Sequence, residues 1–108
     1  MDEREFMAAA DAELARIETA LEVASESGVA DFDFEIRPGG VIEIEVAGGS
    51  KIILNRHGAA REIWLAAKSG GYHFRAEAGR WLDTRNGEEL LAAVSRTLSE
   101  QAGVRVSL

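Results

Sequence analysis

The sequence predicts an α+β fold, a two-layer sandwich in which two helices pack on one face of an antiparallel sheet of about six strands. Three observations support this prediction: a helical apolar period near each end of the chain, a period of two through the middle, and glycine-bearing turns between short segments. The turns are too short for crossover connections, so neighbouring strands are expected to run antiparallel. At 108 residues, the chain is expected to form one domain over residues 1–108.

The first helix is predicted from Glu3 to about Ala24. Its apolar residues recur every three or four positions and form one stripe along the helix: Phe6, Ala10, Leu14, Ile17, Leu21 and Ala24. Gly28 lies just beyond this stripe and is expected to end the helix, because glycine readily adopts the left-handed conformation that closes a helix C-terminus.

The middle of the chain alternates apolar and polar residues, as strands with one buried face do. Strands are predicted at Asp31–Ile36, Val41–Val46, Lys51–Asn55, Glu62–Ala66, Gly71–Arg75 and Arg80–Asp83. Because each strand has only one apolar face, the opposite face of the sheet is expected to be exposed to water or only partly covered.

A second helix is predicted to begin near Asn86. This residue is a candidate N-cap, and Glu89 three positions later completes a pattern similar to a capping box. Gly103 is expected to follow the end of the helix. The apolar stripe of this helix consists of Leu90, Leu91, Val94 and Leu98.

The net charge of −7 is unevenly distributed along the chain. Residues 1–50 contain 13 acidic and 3 basic side chains, whereas residues 51–108 contain 6 acidic and 9 basic ones. An acidic half repels nucleic acids and anionic lipids, and it attracts cations and basic protein surfaces. Neither nucleic acid nor membrane is therefore an expected partner.

The composition also excludes several kinds of site. The chain contains no cysteine, so it has no disulfides, no thiolate metal site and no cluster bound through thiolates. No apolar run approaches the roughly 20 residues that cross a bilayer. The acidic start, Met1 to Glu5, lacks the basic and apolar segments of a signal peptide. These features favour a cytoplasmic protein.

Acidic residues form a second stripe on the first predicted helix. Asp11, Glu18, Glu22 and Glu26 are separated by seven, four and four positions, which predicts that they share one face opposite the apolar stripe. Acids four positions apart repel one another, and the last three lie towards the helix C-terminus, where the macrodipole disfavours anions. A sequence selected for stability alone would place lysine or arginine there.

The first predicted strand carries Asp31, Asp33 and Glu35 on one side. Residues two apart in a strand are roughly 6.6 Å apart, which is too far for one compact cage but suits an open ridge that holds several hydrated cations. Oxygen ligands select hard cations such as Mg²⁺, Ca²⁺ and Mn²⁺, and by the same logic iron without sulfur ligation. Alternatively, these acids merely solvate an edge strand and deter aggregation. The pattern leaves both interpretations open.

Trp64 shares the face of its strand with Glu62, opposite Ile63 and Leu65. An exposed tryptophan is favoured as an anchor for binding another protein, although Trp64 could instead pack across neighbouring side chains of the sheet. The only histidines, His57 and His73, lack the spacing of known zinc motifs. Whether either histidine contributes to a ligand site stays open.

Three segments of the predicted sheet resemble the frataxin family, in particular its bacterial branch. They are Gly49-Ser50-Lys51-Ile52-Ile53-Leu54-Asn55-Arg56, Ile63-Trp64-Leu65-Ala66 and Gly70-Gly71-Tyr72-His73-Phe74. The opening Glu5-Phe6 and Ala10-Asp11 and the ending Gln101-Ala102-Gly103 are similar as well. The resemblance implies a frataxin-like fold of two helices against an antiparallel sheet, in agreement with the periodicity.

The resemblance also implies weak binding of Fe²⁺ and Fe³⁺ on an acidic ridge formed by the first helix and the first strand. The positions of this chain that match the family's ridge are Glu18, Glu22, Asp31, Asp33 and Glu35. The helix pattern adds Asp11 as a sixth candidate metal ligand. Thr19 and Val23 stand where many bacterial relatives have further acids. The ridge of this chain is therefore expected to be thinner than theirs.

The partners that the resemblance implies are a cysteine desulfurase and the scaffold protein of iron–sulfur cluster assembly. The interaction surface carries over onto Lys51, Asn55, Arg56 and Trp64 of the sheet. His57 and Gly58 depart from the residues that relatives often have there.

The expected function is that of a non-enzymatic iron donor or regulator of cluster assembly. Iron on the ridge would neutralise the charge that a basic desulfurase surface recognises, so iron binding and docking are expected to compete. One alternative is an acidic interaction module that needs no metal, and another is a ferrous oxidase. A monomer is expected, with iron-dependent oligomers as an alternative.

Overall fold

The computed structural model describes residues 1–108 and confirms the predicted fold class. A six-stranded antiparallel sheet lies between the two helices in the sequence, and both helices pack on the same face of the sheet. The elements are α1 (Glu3–Ser27), β1 (Phe32–Arg37), β2 (Val41–Val46), β3 (Lys51–His57), β4 (Glu62–Ala67), β5 (Gly70–Glu77), β6 (Arg80–Asp83) and α2 (Leu90–Ala102).

Helix α1 begins and ends at residues with suitable capping chemistry. The side chain of Asp2 accepts a hydrogen bond from the Glu5 backbone, and the Glu5 carboxylate accepts one from the Asp2 backbone, which completes a capping box. At the other end, Gly28 adopts the left-handed conformation with φ of 72°, as its position predicted. The helix continues to Ser27, three residues beyond its apolar stripe.

The strands form a simple meander in which each pairs with its neighbour in sequence, from β1 to β6. Every second side chain of the strands faces the helices. These side chains and those of α1 and α2 that face them belong to a core of 21 buried apolar residues. The largest of these include Phe6, Ile17, Leu54, Ile63 and Phe74. The other face of the sheet has no helix against it, as the alternation predicted. It is called the outer face below.

Helix α2 does not begin at Asn86 as predicted. Its N-cap is Glu89, whose side chain makes no capping hydrogen bond, and the helix begins at Leu90. Asn86 lies in a turn instead, where its side chain accepts a hydrogen bond from the Glu88 backbone. Glu89 is extended because it forms a bridge with Leu82 of β6, and this pairing delays the start of the helix. Gly103 ends the helix as predicted, with φ of 75°.

Neither helix is both long enough and apolar enough to cross a membrane.

Candidate functional site

The helical part of the acidic ridge lies along the flank of α1 that borders the sheet. Glu22 and Glu26 are exposed, and Glu18 is half-buried. Asp11 and Glu18 line a groove of about 250 Å³ between α1 and the β1–β2 hairpin. Asp11 and Glu18 therefore lie beside the apolar stripe and not opposite it, and they border the first strand.

The strand part of the ridge lies on β1 and immediately before it. Asp33 and Glu35 are exposed on the strand, while Asp31 precedes Phe32 and is joined to β2 by the hydrogen bond from the Ala47 amide to its carbonyl. The register adds one acid that the sequence pattern did not single out. Glu45 of β2 lies directly opposite Asp33, so the two carboxylates share one face at neighbouring positions.

Two of the six predicted ligands already have cationic partners. Asp11 accepts a hydrogen bond from the guanidinium of Arg56, and Glu35 lies 3.1 Å from Arg37. The other four predicted ligands, Glu18, Glu22, Asp31 and Asp33, make no salt bridge. The ridge thus keeps four uncompensated carboxylates on adjacent elements.

Glu43 interrupts the acidic surface on β2. Its carboxylate accepts hydrogen bonds from Lys51 at 2.9 Å and Arg37 at 2.7 Å. These two hydrogen bonds lower the pKa of Glu43 below its ordinary value of 4.5. Glu43 is therefore ionised at neutral pH, but both of its oxygens are already paired, which makes it a poor ligand for a further cation.

No three Asp, Glu or His side chains converge closely enough to hold one metal ion. The strand spacing led us to expect an open ridge and not a cage, and binding of cations on it stays a prediction. Such a surface can contribute one or two oxygens to a hydrated hard cation, with water completing the shell. The donor set therefore fits loose binding of a hard cation, but it does not fit a tight structural site.

Arg56 does not lie on the outer face with the other predicted partner residues. It occupies an inward-facing position of β3 opposite Ile63, and its side chain extends along the end of the sheet to Asp11 of α1. Gly40 permits this path, because a Cβ atom there would lie 2.6 Å from the Arg56 side chain. The inclusion of Arg56 in a sheet-face surface was therefore wrong. Its guanidinium belongs to the ridge side of the molecule.

The other three predicted partner residues lie on the outer face. Lys51 and Asn55 of β3 share this face with Trp64 of β4, and Asn55 is the direct cross-strand neighbour of Trp64. Lys51 is paired with Glu43, while the Asn55 amide donates to the carbonyl of Arg56. Strand register therefore places the three side chains on the same face of the sheet.

Trp64 is packed between the two histidines of the chain. Its indole stacks on His57 with a centroid distance of 3.9 Å and on His73 with a centroid distance of 4.4 Å. The ring planes differ by only 13° and 8°. Trp64 therefore lies on the outer face, half-buried, and packs across its neighbours, while its use as an anchor for a partner protein stays a prediction. The three residues are called the tryptophan stack below.

Glu62 lies beneath the tryptophan stack and is only 5% exposed, although it is on the outer face. It accepts hydrogen bonds from the Trp64 indole nitrogen at 2.8 Å and from the Arg75 guanidinium at 2.8 Å. His73 Nδ1 lies 3.4 Å from the same Oε1 that Trp64 contacts. Burial opposes ionisation of Glu62, but the hydrogen bonds from Trp64 and Arg75 outweigh it and lower its pKa.

The sequence placed Glu62 and Trp64 on one face but did not reveal the roles of Glu62 and the histidines. The signal that was available is strand register. If the turn at residues 58–61 is assumed, His57 lies opposite Glu62, and the next turn places His73 opposite Trp64. The separation of the histidines along the chain gives no indication of this proximity.

The chain is similar to known proteins along nearly its whole length. A family model described as the frataxin-like domain matches residues 1–104. The iron–sulfur cluster assembly protein CyaY of Dechloromonas aromatica is 52% identical over 108 residues, which cover 100% of this chain and 99% of that protein.

Two solved structures share the fold. Frataxin from Psychromonas ingrahamii has a TM-score of 0.80 at 28% identity and covers 99% of this chain and 97% of its own. Trimeric frataxin from the yeast Saccharomyces cerevisiae in a ferrous complex has a TM-score of 0.75 at 27% identity, over 88% of this chain and 86% of its own. The family model, the relatives and the fold agree, so the chain belongs to the frataxin family and is related most directly to its bacterial CyaY members.

Proposed function

We propose that this chain is a non-enzymatic iron-binding protein that donates iron to, or regulates, iron–sulfur cluster assembly. Its CyaY relative in Dechloromonas aromatica is named as an iron–sulfur cluster assembly protein, and a yeast relative forms a ferrous complex. The observation that carries the proposal is the row of four unpaired carboxylates on the acidic ridge, Glu18, Glu22, Asp31 and Asp33, in a chain without cysteine.

In this proposal Fe²⁺ and Fe³⁺ are cargo, held weakly by carboxylate oxygens and water. Asp11 and Glu35 have guanidinium partners and are expected to contribute less than the other four, because iron would first have to displace the arginine. Glu45 extends the ridge opposite Asp33 and is expected to join it as a ligand.

An anaerobic titration with Fe²⁺, followed by amide NMR, tests this proposal. Broadening is expected to be confined to α1 and to the β1–β2 hairpin. A variant that carries Glu18→Gln, Glu22→Gln, Asp31→Asn and Asp33→Asn should lose this broadening. A matched variant with Glu77→Gln and Glu100→Gln, which are exposed acids outside the ridge, should retain it. Broadening spread evenly over the molecule would refute the site.

The proposed partners are a cysteine desulfurase and the scaffold protein of the assembly machinery. The acidic ridge offers negative charge to a basic surface, and the outer face offers Trp64 with Lys51 and Asn55 beside it. Iron on the ridge would reduce its negative charge, so Fe²⁺ is expected to weaken docking on the desulfurase. An affinity for the desulfurase that is the same with and without Fe²⁺ would contradict this coupling.

A metal-independent acidic interaction module is the second candidate function. It is favoured by the absence of any three converging ligands and by the arginine partners of Asp11 and Glu35. Under this function Glu18→Lys would weaken partner binding, while Fe²⁺ would leave that binding unchanged.

The proposal also places the chain in the cytoplasm and treats it as a binding protein that does not oxidise iron. Ferrous oxidation measured with and without the protein at equal iron concentration is expected to give equal rates. We expect a monomer without iron. Iron-dependent oligomers are the alternative that the trimeric yeast frataxin supports.

A further inference from the structure

We propose that Glu62 is a positioning residue that holds the Trp64 indole in one orientation for docking, with His73 as a proton-sensitive second contact on the same carboxylate oxygen. The part of this inference that concerns docking rests on the proposed function. The part that concerns the orientation of Trp64 stands on the geometry of the outer face alone.

The first step of the inference is the position of Glu62 itself. A glutamate on the uncovered face of a sheet would ordinarily extend into water, yet the side chain of Glu62 is only 7% exposed. Its oxygens are divided between two neighbours: Oε1 accepts from the Trp64 indole, and Oε2 accepts from Arg75. Because Arg75 fixes one oxygen, the other is held where the indole nitrogen can reach it.

The second step is the restriction of the indole. The hydrogen bond to Glu62 fixes the edge of the Trp64 ring, and the imidazoles of His57 and His73 cover its two faces. A side chain that is held in one rotamer before binding does not lose that rotamer freedom on docking, so less free energy is spent on ordering it. Trp64 is therefore presented as a preorganised anchor.

The third step concerns the two imidazoles, which have different hydrogen-bond partners. His57 Nδ1 accepts the Ala60 amide, so it carries no proton in this geometry. His73 Nδ1 lies 3.4 Å from Glu62 Oε1, which is ion-pair distance when the imidazole is protonated. Protonation of His73 adds a positive charge beside the oxygen that also accepts from Trp64. The indole hydrogen bond should therefore respond to the charge of His73.

The charged groups around the tryptophan stack are few. Glu62 and Arg75 are paired with each other, so they contribute no net charge. Arg61 in the β3–β4 turn and Arg85 after β6 direct their guanidiniums to backbone carbonyls, those of Gly58 and Gly71. Thr84, the backbone partner of His73 after β6, is uncharged. Of these groups, His73 is the one that lies against the Glu62 oxygen that accepts from Trp64.

The experiment compares the indole Nε1–H resonance of Trp64 in the free protein with its resonance in two variants. Glu62→Gln keeps an oxygen acceptor but removes the charge, and Glu62→Leu removes the acceptor while keeping the bulk. Trp64→Phe assigns the resonance against that of Trp81. Glu77→Gln, on the outer face of β5, is the matched control.

In the wild type, the Trp64 indole is expected to be held in one orientation, and its resonance is expected to shift when the pH is lowered from about 8 to about 5. His73→Gln should reduce this pH dependence more than His57→Gln does, because only His73 lies against Glu62. Glu62→Leu should make the indole mobile, whereas Glu62→Gln should keep it ordered but reduce its response to pH. An indole that is equally ordered in Glu62→Leu, or that still titrates fully in Glu62→Gln, would overturn the proposal.

Glu62→Gln keeps the shape of the site, so its pH profile decides the question even if Glu62→Leu fails to fold. A second measurement compares the affinities of the wild type and the variants for the purified scaffold protein at pH 7.5. Glu62→Leu is expected to weaken the affinity for the scaffold protein by about three- to tenfold, because the indole must then be ordered on binding. Glu62→Gln is expected to weaken this affinity by less. If Trp64→Ala leaves this affinity unchanged, the docking surface of the proposed function fails, while the positioning role is still decided by the resonance of the free protein.

Discussion

At the scale of single residues, Glu62 shows how a polar group can be buried on an uncovered face of a sheet. Its carboxylate is accommodated because Trp64 and Arg75 supply hydrogen bonds where water would otherwise be needed. The same contacts lower its pKa below the ordinary value of 4.5 despite its burial. Glu62 thereby combines a structural role with control of a neighbouring aromatic side chain.

The lowered pKa predicts an acid-dependent contribution of Glu62 to stability. Because the folded chain holds its pKa below the unfolded value of about 4.5, the ionised carboxylate stabilises the folded state above that pH, and this contribution is lost as the pH falls through the folded pKa. Glu62→Gln should cost about 1.5–3 kcal/mol at pH 7, the range for hydrogen bonds to a charged group. Urea unfolding at pH 7 and at pH 3.5 measures the difference, which should shrink in acid.

Glu77→Gln is the control for this measurement, since Glu77 is exposed on the same face and makes no salt bridge. Its unfolding free energy should match that of the wild type at both pH values. A cost of Glu62→Gln that does not change with pH would show that the packing of the side chain, and not its charge, is what matters.

At the scale of secondary-structure elements, α1 combines a well-capped N-terminus with an unfavourable C-terminus. Asp2 and Glu5 form the capping box, and acids in the first turn suit the positive end of the helix dipole. The last turn contains no basic residue, although Glu26 lies there. Acids at the negative end of a helix reduce stability, so their presence is consistent with a cation-binding role for this flank.

Glu26→Lys is predicted to stabilise the chain. Lysine suits the negative end of the helix dipole and gains a partner in Glu22 four residues before it, and these two effects together should raise the free energy of unfolding by about 0.5–1.5 kcal/mol. Thermal unfolding measures the change. The matched control is Glu3→Lys in the first turn, where the same substitution should destabilise the chain. Equal effects of the two substitutions would contradict the dipole explanation.

The same scale shows where periodicity predicts an element and where it does not. The apolar stripe of α1, the alternation in the strands and the glycines after both helices were sufficient to place eight elements in the right order. The start of α2 was wrong because Asn86 has the chemistry of an N-cap but uses it in a turn. The bridge between Leu82 and Glu89, which extends the chain up to the helix, is a contact that local sequence does not encode.

At the scale of the whole molecule, the charge asymmetry of the sequence becomes a spatial one. The acidic first half supplies α1 and the first two strands of the meander, β1 and β2, whereas the second half supplies β3 to β6 and α2. Because the sheet is a meander, the order of the strands along the chain is also their order across the sheet. A basic partner should therefore approach from the α1–β1 side.

This separation predicts that docking on the desulfurase depends on ionic strength. Raising the salt concentration from 50 to 500 mM should weaken the affinity on the order of tenfold, because the ridge charges are exposed and screened. The variant with four amides on the ridge should bind more weakly at low salt and vary less with salt, and calorimetry or interferometry measures both. Identical salt dependence of the two proteins would show that the ridge does not steer docking.

The sequence by itself determined the fold class, the meander and the face on which Trp64 lies, because periodicity and glycine positions are local properties of a chain. Only the tertiary structure decided which groups meet. Strand register placed both imidazoles against Trp64, aligned Glu45 with Asp33, and turned Glu62 into a buried acceptor. Because β3 lies close to α1, the Arg56 guanidinium pairs with the Asp11 carboxylate. A contact between residues so distant in sequence depends on packing and not on a local pattern.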